Sequence, residues 1–142
     1  MMTDVLAYVR GAMSGLPGGY KEWLSGFNSE NIPRSVIDKS YFVKFGAART
    51  KQTDQRSSQL EMPFVVQVYR GGQRDSLANR DAGISSFDAV LKAMIKIIPA
   101  TNSAGVLNVT FQGGAPRQFD KSNEHAVLVE MSFTALTAVP RE

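Results

Sequence analysis

A chain of 142 residues, 43% hydrophobic and 20% charged, has the size and proportions of one globular domain, which excludes a two-domain enzyme, a disordered tail and a coiled coil. It has no cysteine and one histidine, His125, so Cys-based zinc sites, thiol nucleophiles, redox pairs and multi-histidine metal centres are excluded as well. The net charge of +3 tolerates a polyanionic partner without requiring one.

Residues 1–16 carry Asp4 and Arg10 among their apolar positions, unlike a signal peptide, and no window holds the roughly 18 uncharged apolar residues of a membrane helix. A soluble protein working in a cytoplasm, with no membrane partner, is expected. Val5, Val9, Ala12, Met13 and Leu16 fall on one face of a helix that Thr3 or Asp4 caps and Pro17-Gly18-Gly19 ends. Tyr20, Trp23, Leu24 and Phe27 repeat that pattern for little more than a turn, as a short second helix or an aromatic plug, until Asn31-Ile32-Pro33 breaks the chain. Tyr41, Val43 and Phe45 then share one face of a strand. Residues 46–59 contain no large apolar side chain and are dense in Arg, Lys, Thr, Gln and Ser; burial cannot offset their ordering entropy, so a long mobile loop or arm is expected.

Strand composition returns over residues 60–70, with Phe64, Val66 and Val68 on one face, and Pro63 predicts either the strand's start or an edge position. After Gly71-Gly72, Asp75 or Ser76 caps a long helix. Its apolar face reads Ile84, Phe87, Leu91, Met94, Ile95 and Ile98, with Arg80, Asp81, Asp88, Lys92 and Lys96 on the other side. Pro99 stops it. Leu107, Val109 and Phe111 alternate as a strand, Gly113-Gly114 and Pro116 turn the chain, and Val127, Val129, Met131 and Phe133 alternate again. A phase shift to Leu136 and Ala138 predicts a bulge or a strand leaving the core. The expected order is helix, strand, long loop, strand, helix, strand, strand, without internal repeat. This is an α+β single domain, residues 1–142, with a mainly antiparallel sheet covered on one side by helices.

No catalytic constellation, cofactor motif or metal-ligand spacing is present. His125 lies in the polar start of the last strand and reads as a surface or edge histidine. Arg74 and Arg117 each follow paired glycines, but the spacing fits turns rather than a phosphate loop. Trp23, Tyr20 and Phe27 read as core before interface, and the methionines as gap fillers. Charge is uneven: residues 34–56 hold Arg34, Lys39, Lys44, Arg49, Lys51 and Arg56 against Asp38 and Asp54. Two readings fit, a solvated hairpin loop or a basic arm meeting an acidic protein surface or nucleic acid. No aromatic residue interleaves with the basic ones over 46–59, which argues against base stacking.

The amphipathic start at residues 3–16, the strand pair around the loop 46–59, the helix after Asp75-Ser76 and the closing strands at 106–112 and 126–138 resemble the tail terminator, or tail completion, proteins of long-tailed phages. Residues 18–37 have no place in that pattern. The resemblance implies a non-enzymatic virion protein, made in the host cytoplasm, whose copies form a hexameric ring on the tail tube protein and face the head connector or stopper. It implies that 46–59 orders on a neighbouring subunit or the tube. Arg49, Lys51, Arg56, Arg74 and Arg117 then become candidates for interface contacts or non-specific contact with DNA in the channel. Other phage neck proteins, head-tail joining or stopper, share the size. A small α+β domain binding nucleic acid or an acidic protein is the alternative of a different class.

Overall fold

Residues 2–23, 38–53, 57–71, 76–96, 105–121 and 124–140 are described by a computed structural model. Over them the chain is α+β. Two helices, α1 (Met2–Ser14) and α2 (Ser76–Met94), lie on a mixed, mostly antiparallel sheet of β1 (Lys21–Glu22), β2 (Ser40–Phe45), β3 (Arg49–Thr53), β4 (Ser57–Arg70), β5 (Val106–Lys121) and β6 (Glu124–Pro140). The order across the sheet is β1-β2-β4-β6-β5, with β3 pairing β4 beyond the end of β2; β1 on β2 is the parallel pair. Alternation places Met62, Phe64, Val66 and Val68 of β4 and Val129, Met131, Phe133 and Ala135 of β6 on one face. There they join Val5, Val9 and Met13 of α1 and Val90 and Met94 of α2 in one core, so both helices cover the same side.

Of the segment expected as a loop, 46–59, residues 49–53 and 57–59 are instead paired strand, the distal part of a long hairpin. Phe45 stands opposite Phe64 and Arg49 opposite Glu61, so the edge takes one step more than β4 does; β2 and β3 are one edge interrupted by a bulge. Pro63 faces that bulge in a central strand, neither at a strand start nor at an edge. Its carbonyl accepts from the Gly46 amide at 2.8 Å, and a residue's N–H and C=O point to the same side of a strand. The donor that proline lacks therefore falls where the edge has bulged away, and the ladder loses nothing. Backbone pairing with β4 orders the Thr, Lys and Gln residues of β3.

Both halves of the chain run helix then hairpin, a repeat that the residues themselves do not spell out. The inner strands β4 and β6 pair with Phe64 opposite Phe133, flanked by Met62 opposite Ala135 on one side and Val66 opposite Met131 on the other. Phe45 and Phe111 stand outside them in the same row. The ring centroids step across the sheet at 6.5, 5.4 and 5.6 Å, and each edge strand bulges just after its phenylalanine. The two hairpins are thus related by a quasi-two-fold through the central Phe pair; the helices do not share it, since α2 lies against β6, β5 and β4 while α1 packs mainly on α2.

Three further expectations are corrected. Tyr20 leads into strand β1, with the Lys21 amide on the Lys39 carbonyl and that of Trp23 on Tyr41, so no second helix starts there; Leu24 and Phe27 lie outside the described residues. Gly113-Gly114 and Pro116 do not turn the chain, because β5 runs on to Lys121. Both glycines have positive φ (152° and 154°), and a Cβ on Gly114 would collide with the Glu130 carbonyl, so glycine here lets the bulged strand stay in the sheet. The irregularities sit in β5, around Leu107 and Gln112, whereas β6 keeps its phase through Thr137, 1% exposed.

The long helix is rotated from its expected face. Its buried line is Asn79, Gly83, Ser86, Val90 and Met94, while Ile84 and Ile95 are 43% and 46% exposed. Small residues set this orientation. A Cβ on Gly83 would stand 2.5 Å from Cγ1 of Val127, so glycine lets the helix backbone approach β6 more closely than a larger side chain would allow. Ile98 and Pro99 lie outside the described residues.

Candidate functional site

The face of the sheet opposite the helices carries Lys44 from β2, Arg49 from β3, Glu61 and Pro63 from β4, Ser132 and Thr134 from β6, and Asn108, Thr110 and Gln112 from β5. Two depressions lie on it and share Pro63, Gln112 and Thr134. One, of about 390 Å³, is lined by Arg49, Glu61, Asn108, Thr110 and Leu136 as well; the other, of about 270 Å³, adds Lys44, Phe45, Phe64, Val65 and Phe133. Hydroxyl and amide residues are prominent in the first, and the second is more apolar. On this face Glu130 accepts from the Gln67 amide at 3.0 Å.

The two basic candidates whose side chains are described, Arg49 and Arg117, do not converge. Arg49 is exposed on edge strand β3, opposite Glu61 rather than on a free arm. Arg117 is exposed on β5 opposite Leu128, eight residues along β6 from the Leu136 that faces the Arg49 row, or about 27 Å at strand rise. Lys51 belongs to β3, but its side chain, like that of His125 in β6, is not among those described; Arg56 and Arg74 lie outside the described residues. Among the described residues, Lys44, Arg49 and Arg117 are therefore spread along the sheet, with Glu61 and Glu130 among them.

A second constellation went unread in the sequence. Arg70, at the end of β4, donates from Nε to Asp38 at 2.9 Å and from Nη1 to Ser86 Oγ at 2.6 Å and the Ala82 carbonyl at 3.3 Å. Ser86 is fully buried and meets the Tyr20 hydroxyl at 2.7 Å, and Asp38 also accepts from the Gly71 amide at 3.0 Å. The contacting residues come from positions 20, 38, 70 and 86, whose only link is tertiary, so no spacing announces them. Chemically this network is a brace: the Ser86 oxygen faces a guanidinium, which takes no proton, and Asp38 bonds Arg70 rather than the hydroxyl. It ties α2 to the sheet end and to the segment entering β1.

Arg10 holds Glu22 through two bonds, 2.7 and 3.1 Å, fastening β1 to α1, and this carboxylate raises the guanidinium pKa. Burial raises the Tyr8 phenol, which donates to the Met94 carbonyl at 2.7 Å; burial and the Glu22 charge raise Tyr41. Among the described residues no group of three His, Cys, Asp or Glu side chains is placed to hold a metal ion, and no helix is long and apolar enough to cross a membrane. No protein-family model matches the sequence, and a search of curated proteins returns no match.

Proposed function

We propose that the chain is a structural virion protein, a tail terminator whose copies form a ring that caps the tail tube and joins it to the head connector. The observation that supports this is the sheet. Its two hairpins leave β3 on one edge and β5 on the other, each paired on one side only among the described residues, and Lys44, Arg49, Asn108, Thr110 and Gln112 are exposed on the face beside them. A unit with an open strand on each of two opposite edges can be joined head to tail, one edge on the opposite edge of the next copy, and such heterologous contacts close into rings when the rotation closes. Arg49 and Lys51 then sit on an edge, where they contribute to docking on a neighbour or the tube, and the resemblance to tail terminators supplies the ring of six.

The test is the mass of the purified protein in solution together with its negative-stain image, followed by tail length and head joining in a mutant lacking it. A six-membered ring and overlong or unjoined tails are expected. Tails of normal length that still fail to join heads place the chain elsewhere in the neck, as a joining or stopper protein. A monomer that binds DNA in a salt-sensitive way selects the nucleic-acid-binding domain instead, and normal phage from the null mutant ends the virion reading.

A further inference from the structure

The apolar arc of α2 is wider than the sheet covers. Leu77, Ile84 and Ile95 are 54%, 43% and 46% exposed, and with half-buried Leu91 they form a stripe. At 3.6 residues per turn these four positions fall within about 40° of one another. The Ile95 amide still bonds the Leu91 carbonyl, at 3.1 Å, so the stripe continues through the end of the helix. One flank of it carries Asp81 and Asp88 toward the N-terminus and Lys92 and Lys96 toward the C-terminus, all exposed.

From this arrangement we infer that α2 is an interaction surface for a second copy of the chain, paired antiparallel about a two-fold axis near residue 89. In an antiparallel pair the same flank of each helix meets its counterpart. Asp81 then faces Lys96 of the second copy, Asp88 faces Lys92, and Ile84 packs between Leu91 and Ile95. A parallel pair would instead turn this flank toward the opposite flank of the second copy, where half-buried Phe87 and buried Met94 pack toward the sheet, so only the antiparallel form brings the two charged flanks together. The stripe is narrow compared with the roughly 1,200–2,000 Å² that specific stable interfaces bury, so the pair is weak and concentration-dependent, and salt weakens it further. This pairing is isologous and does not rest on the ring reading, whose contacts are heterologous.

The test is sedimentation velocity of the full chain over a concentration series, for wild type and two variants that keep the stripe but make its flank one sign, D81K/D88K and K92E/K96E. Circular dichroism checks that both stay folded. Wild type should self-associate, each variant alone should do so at least tenfold more weakly, and an equimolar mixture of the two should recover a heterodimer. The chain has no cysteine, so Asp88→Cys, close to the two-fold, should form a disulfide dimer under mild oxidation faster than Leu77→Cys. Wild type that stays monomeric, variants that associate as wild type does, a mixture that does not recover, or faster linking through position 77 would each overturn the inference. Ring assembly through the sheet edges is read separately, as six-membered particles.

Discussion

Gly83 is where one atom decides the position of a helix. Alanine favours a helix over glycine by about 1 kcal/mol, which on its own predicts that Gly83→Ala stabilises. The added Cβ would stand 2.5 Å from Val127 Cγ1 and 3.2 Å from its Cβ, on a stiff β-branched side chain, so overpacking of about 1–3 kcal/mol is the larger effect. A lower denaturation midpoint is expected in urea titration. At the same scale, the raised phenol pKa values of Tyr8 and Tyr41 make the folded state hold protons that the unfolded chain releases near pH 10. Their stabilisation is complete below about pH 10 and is lost as pH rises through the folded values. A Tyr8→Phe/Tyr41→Phe variant should show a shallower loss of stability than wild type as pH rises above about 10, measured by denaturant midpoint against pH.

Among elements, α2 shows how periodicity and burial part company. The apolar spacing from Ile84 to Ile98 identifies the helix correctly but points its face too far round, because a glycine and a serine, invisible to a hydrophobic count, define the line that meets the sheet. Met94→Ala, at a fully buried position, should cost about 2–5 kcal/mol, whereas Ile84→Ala should change stability by under about 0.5 kcal/mol. Equal losses at both positions would place the helix on its originally expected face. Leu91, half-buried between the two lines, should fall between them. The same contrast explains segment 46–59: composition reads correctly as polar, but polar residues are ordered when a long neighbouring strand offers its backbone groups.

For the whole molecule, the tail-terminator proposal rests on the two edges of the sheet and the accessible residues beside them. If β3 is a docking edge, reversing Arg49, Lys51 and Arg56 together to Glu should leave circular dichroism and melting of the subunit near wild type. It should weaken ring formation or tail completion, and added salt should weaken wild type in the same direction. Particle counts by electron microscopy and complementation of the null mutant measure this. Normal tails from the triple variant would remove the role assigned to the edge charge and leave the ring itself to be judged by its stain image.

From sequence alone, α1 was legible with its face of Val5, Val9, Ala12 and Met13, as were the alternating strands of β2, β4 and β6 and the α+β class, because each follows from local periodicity against a single burial direction. The exclusion of thiol and multi-histidine chemistry was legible too, since it needs only a count. Tertiary structure decided the rest. Pro63 lies in a central strand only because a bulge opposite relieves it of a donor, and position 114 in the bulged strand must be glycine because Glu130 and Met131 approach too closely for a side chain. Arg70, Asp38, Ser86 and Tyr20 meet only once α2 lies against the sheet. In each case the deciding quantity is a distance between residues far apart in the chain, and a one-dimensional pattern records only what neighbours along the chain require.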